Sequence, residues 1–135
     1  MDRTLILVKP DAYDRALTGE IIARFERKGL RICALKRMQL TREIAGQHYA
    51  EHEGKPFFEP LVDFLTSGPL VALVLEGREA VATARRLIGA TDPAEADPGS
   101  IRGDFGLDVK RNLVHGSDSP ESAGRETRIF FPELS

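Results

Sequence analysis

The sequence predicts an α+β fold, a four-stranded antiparallel sheet with helices packed on it. Three observations lead there. Thr4–Lys9 and Leu70–Leu75 carry the runs Leu-Ile-Leu-Val and Leu-Val-Ala-Leu-Val-Leu, the pattern of strands buried on both faces. Between them lie segments with apolar residues at helical spacing. The elements alternate in the order strand, helix, strand, helices, strand, helix, loop, strand, helix.

Each element has its own local cause. Pro10 stops the first strand, Thr4–Lys9. Thr18–Lys28 puts Ile21, Ile22 and Phe25 on one stripe, and Gly29 ends that helix. Leu30–Leu40 reads as the second strand. Thr41 caps a helix running through Glu53, and a second short helix follows Pro60. Ser67-Gly68-Pro69 turns the chain into the third strand, Leu70–Leu75. Glu79–Ile88 is helical. Gly89–Ser100, with its Gly, Pro and Asp, is a long loop ahead of a short fourth strand, Asn112–His115. Ser119-Pro120 supplies the N-cap and first position of a last helix ending near Phe130. The β-α-β-β-α-β skeleton is the ferredoxin-like arrangement, with helices expected on one face of the sheet. That arrangement hosts many functions, so the chemistry has to come from individual residues.

Composition narrows the class. A chain of 135 residues fits one domain, taken as residues 1–135, at about 100–200 residues per domain. Apolar residues make up 41% and charged residues 30%, which excludes a disordered or low-complexity chain. A net charge of −2 makes nucleic acid a poor partner, because that binding runs on clustered positive charge. The single cysteine, Cys33, excludes an intrachain disulfide and a multi-cysteine metal site. No apolar run approaches the roughly 20 residues that span a bilayer. No membrane role and a cytoplasmic location are therefore expected.

Several charges fall where apolar residues are expected. Ala123, Thr127 and Phe130 mark the inward stripe of the last helix, and Glu126 lies on it. A carboxylate facing a core is costly unless something binds it. His115, Ser117 and Ser119 are near enough in sequence to do so; a helix-edge Glu reaching solvent is the alternative. His115 stands at a strand end beside Gly116-Ser117-Asp118. A carboxylate on one ring nitrogen fixes the tautomer and frees the other as a nucleophile; a satisfied structural histidine is the plain alternative. Arg85 falls on the stripe of Val81, Ala84 and Ile88, while Arg86 is turned toward water. Lys9 closes a buried strand, and Arg102 follows the long loop. Three cations and a His–Glu pair suggest a site for a polyanion, phosphate above all. No Walker A sequence or dinucleotide fingerprint is present. His48 and His52 are four apart on one helix but lack the zinc-protease glutamate, and read as surface residues. Arg102-Gly103-Asp104 spells an adhesion tripeptide, read here as chance.

Asn112-Leu113-Val114-His115-Gly116-Ser117-Asp118-Ser119 resembles the active-site signature of the nucleoside diphosphate kinases, in their bacterial form. The resemblance runs along essentially the whole chain. Thr4–Ala12, with its Lys-Pro-Asp, is similar to that family's opening strand. His48-Tyr49 and Pro56-Phe57-Phe58 are similar to its nucleotide-binding helices, and Ser67-Gly68-Pro69 precedes the matching strand. Gly89-Ala90-Thr91-Asp92-Pro93 and Pro98–Phe105 match its loop. Ala90 departs from the glutamate of many eukaryotic relatives, as the bacterial form does.

The resemblance implies a ping-pong phosphotransferase that moves a γ-phosphate from ATP or another nucleoside triphosphate to a nucleoside diphosphate. It implies His115 as the carrier through Nδ1, oriented by Glu126, with Lys9 on the γ-phosphate and the ribose 3′-hydroxyl. Arg85, Thr91 and Arg102 are implied to hold phosphates, Tyr49 to lie near the transferred group, and Asn112 to bind the sugar. Phe57 is implied to stack on the base, with Val109 opposite and Leu61 lining the pocket. His52 and Ser117 rank second. Mg²⁺ is expected to arrive on the nucleotide phosphates, with no metal ligand from the protein. The family forms hexamers or tetramers built on a shared dimer, and the short bacterial form favours a hexamer. The rival reading is a non-catalytic nucleotide- or nucleic-acid-binding module on the same fold.

Overall fold

The computed structural model describes residues 2–134. Strands β1 (Asp2–Val8), β2 (Arg31–Met38), β3 (Leu70–Gly77) and β4 (Val114–Gly116) form one antiparallel sheet in the order β2-β3-β1-β4. The central strands explain the unbroken apolar runs, since alternate residues feed opposite faces. Ile6, Val8, Leu73 and Leu75 enter one core; Leu5, Leu7, Ala72 and Val74 enter the other. Helices α1 (Pro10–Asp14), α2 (Thr18–Arg27), α5 (Ala80–Ile88) and α6 (Ile101–Phe105) cover the first face through Ala12, Phe25, Ala84 and Ile101. Helices α3 (Arg42–His48), α4 (Phe58–Leu65) and α7 (Pro120–Phe130) cover the second through Ala45, Leu65 and Phe130. Helices therefore lie on both faces, not on one as the skeleton alone predicts.

The boundaries differ from expectation where proline or a turn decides them. Pro10 ends the first strand as predicted, and it also opens α1, where a missing N–H costs nothing. Pro60 is the third residue of α4, another position whose N–H has no intrahelical partner, so the helix begins ahead of it. Thr41 caps α3 by accepting from the N–H of Ile44 at 3.1 Å, but that helix ends at His48 and a single 3₁₀ turn, Ala50–His52, follows. A bulge between Ile32 and Ala34 interrupts β2. β4 starts two residues later than predicted, because Leu113 has φ of +78° and cannot join the ladder. α6 lies within the stretch after the long loop and is capped by Ser100, whose Oγ accepts from the N–H of Gly103 at 3.0 Å. Ser119 caps α7 as predicted. Among the described residues, no helix is long and apolar enough to cross a membrane.

The Arg102-Gly103-Asp104 tripeptide is unsuited to adhesion. Arg102 is buried, and Asp104 pairs with Arg24 at 2.6 Å. Gly103 is held for space: a Cβ there would collide with the backbone carbonyl of Asp97. Gly103→Ala is expected to cost about 1–3 kcal/mol by overpacking, whereas Gly19→Ala on open helix surface should gain about 0.5–1 kcal/mol. Urea unfolding of the two variants checks both signs.

Candidate active site

The site is assembled where β4, α7 and the end of β1 meet. His115 pairs with Leu7 in the sheet and stays half-buried between buried Val114 and Gly116. α7 presents Ala123, Glu126 and Phe130 inward as expected, whereas Thr127, also expected on that stripe, is only half-buried. Glu126 is 4% exposed and its Oε1 lies 3.0 Å from His115 Nε2. Ser117 donates its hydroxyl to the same Oε1 at 2.6 Å, and an Arg125 guanidinium nitrogen lies 3.7 Å from Oε2. A carboxylate beside Nε2 selects the tautomer with its proton there, which leaves a lone pair on Nδ1. The buried acid thus has the partner its position demanded, and the solvent-reaching alternative does not hold.

In front of the ring lies a cleft of about 310 Å³. Three expected cations line it: Lys9, Arg85 and Arg102. Lys9 Nζ donates to Asn112 Oδ1 at 3.0 Å, and burial plus the nearby Arg102 charge lower its pKa to about 8. Arg102 donates to the carbonyls of Asn112, Gly89 and Val114 at 3.2, 3.2 and 2.7 Å. Burial and then the charge of Arg85 bring its pKa down to about 10, so it remains a cation at neutral pH. Arg85 donates to the carbonyl of Gly116 at 3.2 Å and is exposed rather than packed on its helix stripe.

The other expected residues divide cleanly. Tyr49, Leu61, Thr91, Val109 and Asn112 line the same cleft, as does second-ranked His52. Burial, then the charge of Glu126, push the Tyr49 phenol up to about 12, so it stays a hydroxyl donor. Phe57 is 47% exposed and stands outside the lining, its ring 5.1 Å from that of His52. Ser117 lies behind the site, fully buried.

The reading of His48 as a surface residue is wrong. It is 3% exposed, and its ring meets that of His115 edge-on at 4.6 Å and that of Phe130 at 5.5 Å. Its signal was available: with Ala45 it forms the inward stripe of α3. Glu51 and Asp118 also line the cleft, and the sequence reading gave neither a role there. Among the described residues, His48, His115 and Glu126 form the one group with metal-ligating spacing. Lys9, Arg85, Arg102 and Arg125 stand around them, so a bare cation is opposed there, whereas an ion already held by phosphates is not. A larger depression of about 920 Å³ runs along α5 and α7 and touches this cleft through Arg85 and Asp118. It offers no histidine, whereas the smaller cleft holds the His115–Glu126 pair.

An acid-oriented imidazole facing clustered cations, on this α+β sheet, defines a phosphotransfer enzyme. Residues 2–135 match the family model described as nucleoside diphosphate kinase. A nucleoside diphosphate kinase of Parafrankia sp. is 63% identical over 134 residues, covering 99% of this chain and 98% of that protein. One from Carboxydothermus hydrogenoformans is 60% identical over 133 residues, covering 98% of this chain and 89% of that one. The crystal structure of a nucleoside diphosphate kinase family protein from Babesia bovis superposes with a TM-score of 0.96 at 48% identity, over 98% of this chain and 90% of that one. The chain belongs to the nucleoside diphosphate kinase family.

His48 generates a pH prediction. Burial, with His115 and Arg125 nearby, holds its pKa well below the usual histidine value. The unfolded chain therefore takes up a proton near pH 6.5 that the native protein refuses, so stability falls as pH drops below about 6.5. The slope reaches about 1.4 kcal/mol per pH unit. His48→Phe should be shallower by that amount in urea titrations between pH 6.5 and 5; an equal slope would mean that His48 protonates in place.

Proposed function

We propose that this chain is a nucleoside diphosphate kinase acting as one domain, with His115 as the temporary phosphoryl carrier. The carrying observation is the 3.0 Å contact of His115 Nε2 with buried Glu126 at the floor of a cationic cleft. In the first half-reaction the lone pair on Nδ1 attacks the γ-phosphorus of a nucleoside triphosphate. The bond from phosphorus to the bridging oxygen breaks and the diphosphate leaves with that electron pair. The ring gains positive charge as the N–P bond forms, and the Glu126 carboxylate opposes it. In the second half-reaction a terminal oxygen of another diphosphate attacks phosphorus, the N–P bond breaks and the imidazole is restored.

The carrier type fits the energetics. Exchange between two nucleotides is nearly isoenergetic, so the intermediate must keep the transfer potential. A phosphoimidazole does so, whereas a serine ester would be a sink. Lys9, Arg85 and Arg102 act on the charge of the phosphates, and Thr91 joins them as a ligand. Tyr49 donates its hydroxyl toward the transferred group, and Asn112 binds the sugar. Mg²⁺ brought on the nucleotide would neutralise part of the phosphate charge, a task that Lys9, Arg85 and Arg102 would share. Phe57 offers a π-face to any base, with Val109 and Leu61 completing an apolar slot.

The assembly proposed is a homo-oligomer, with a hexamer favoured. Leu35 on the outermost strand β2 is 48% exposed, which suits a contact with another copy. A cytoplasmic location agrees with the free thiol of Cys33. A nucleic-acid-binding module is disfavoured, because helices cover both faces of the sheet and no open platform remains for stacking bases.

Incubation with γ-labelled ATP and no acceptor should leave label on the protein that survives base and is lost in acid. Acid-stable label, or none, would contradict the carrier. His115→Ala should abolish labelling while ADP still binds. Phe57→Ala should weaken adenine, guanine and pyrimidine nucleotides together; a loss confined to purines argues against stacking.

Lys9 adds a pH signature. A bound triphosphate favours charged Lys9, raising a pKa that is about 8 in the free protein. Below pH 8 the lysine is charged with or without nucleotide and adds no pH dependence of its own. Above pH 8 binding must take up a proton, so ATP affinity should fall by up to about tenfold per pH unit. Lys9→Met should flatten that limb in calorimetry.

A further inference from the structure

We infer that Asp11 is a positioning residue for the carrier histidine, clamping Leu113 in the backbone conformation from which β4 starts. The inference rests on the reading of His115 as carrier. Leu113 has φ of +78°, a region that a leucine rarely occupies. The carbonyl of Asn112 accepts from the N–H of Val114 at 2.9 Å across it, so residues 112–114 form a γ-turn of the strained kind. Such a turn persists only where its surroundings over-determine it.

The surroundings are visible. The N–H of Leu113 donates to Asp11 Oδ2 at 3.1 Å, and its carbonyl accepts from the N–H of Lys9 at 2.9 Å. Its side chain is fully buried. Arg102 takes the carbonyls on either side, those of Asn112 and Val114. Asp11 is thus the side chain that fixes the amide of the strained residue. The second Asp11 oxygen, Oδ1, is buried without a well-formed hydrogen bond, and the amides of Asp11 and Ala12 at the start of α1 favour the charged carboxyl against its burial.

The turn has consequences on both sides. Upstream, it aims the Asn112 side chain so that Oδ1 meets Lys9 Nζ at 3.0 Å and Nδ2 donates to the carbonyl of Thr91 at 3.1 Å. Downstream, it lets the ladder begin at Val114 and places His115 opposite Leu7. A Leu113 relaxed to negative φ would redirect both segments, moving the ring relative to Glu126. Asp11 does not line the cleft, so it acts through the turn and not on the nucleotide.

The clamp needs an acceptor at the right reach, not a charge, and two variants separate these. Asp11→Asn keeps the acceptor and removes the charge. Asp11→Glu keeps the charge and moves the acceptor by one methylene. The readouts are the single-turnover rate of His115 labelling by ATP and the hydrogen-exchange rate of the Leu113 amide, at a temperature where each variant is folded. Asp11→Asn should stay within about threefold of the parent in both. Asp11→Glu should label at least tenfold more slowly and exchange Leu113 at least tenfold faster. A loss in Asp11→Asn equal to that in Asp11→Glu overturns the clamp in favour of a charge effect. A lowered melting temperature in Asp11→Glu with parental labelling reduces Asp11 to a structural residue and also overturns it. Should Asp11→Glu not fold, Asp11→Ala, which removes the acceptor, takes its place: labelling at least tenfold slower with Leu113 exchange at least tenfold faster supports the clamp, and parental values overturn it. Should the parent form no phosphohistidine, the carrier reading fails, while the Leu113 exchange rates still report whether the clamp exists.

Discussion

The arrangement turns on one buried carboxylate. Glu126 is almost fully enclosed on α7, and an ionised carboxylate in that position costs several kcal/mol unless its oxygens are taken up. His115 and Ser117 both converge on Oε1. Ser117 is itself tied to β1, since its hydroxyl oxygen accepts from the N–H of Leu5 at 3.2 Å and its own N–H donates to the Leu5 carbonyl at 3.1 Å. The acid therefore links α7, β4 and β1 through short polar contacts, in a region otherwise filled by leucine and phenylalanine. That link fixes both the tautomer of the imidazole and the plane of its ring. His48 closes the remaining side with an edge-on contact and contributes no charge.

The second constraint is electrostatic. Lys9 and Arg102 both sit below their ordinary pKa values, each for burial first and a neighbouring cation second. A cleft that makes its own cations uncomfortable is incomplete without an anion, because a polyphosphate would remove both the desolvation and the mutual repulsion. The fold spends part of its stability in holding that imbalance. Catalysis by positioning and charge, with little covalent work beyond the carrier, is what such a site suits.

How much of this the sequence revealed depends on whether the signal was local. Leu5–Val8 and Leu70–Leu75 announced central strands, and Ser119-Pro120 announced the last helix, because burial and capping are written in adjacent residues. The same two-sided strands also implied helices on both faces, an implication that the skeleton's usual one-face packing obscured. Pro10 and Pro60 were harder, since a proline breaks one element and opens another with equal ease. His48 was hidden by its spacing from His52, although its spacing from Ala45 pointed inward. Nothing in a leucine marks a positive φ, so the γ-turn and the late start of β4 were invisible. Glu126 and the cations were legible for the opposite reason: a charge on an apolar stripe has to be explained by something beyond its own helix.

Arg102 shows how the cationic cleft and the imidazole become one body. Its guanidinium reaches the carbonyls of Asn112 and Val114 on either side of the strained residue, and that of Gly89 at the end of α5. Gly89 has φ of +92°, and a Cβ there would lie 2.5 Å from Ser100 Oγ, so only glycine lets the α5 end approach so closely. A cation of the cleft, proposed above to face the phosphates, is thereby fastened to the strand that carries the imidazole. With Arg102 bonded to Val114 beside His115, the separation of the imidazole from this cation is set by backbone geometry rather than by a freely rotating side chain. In-line transfer would depend on such placement, since misplacement by about 1 Å can cost a hundredfold in rate.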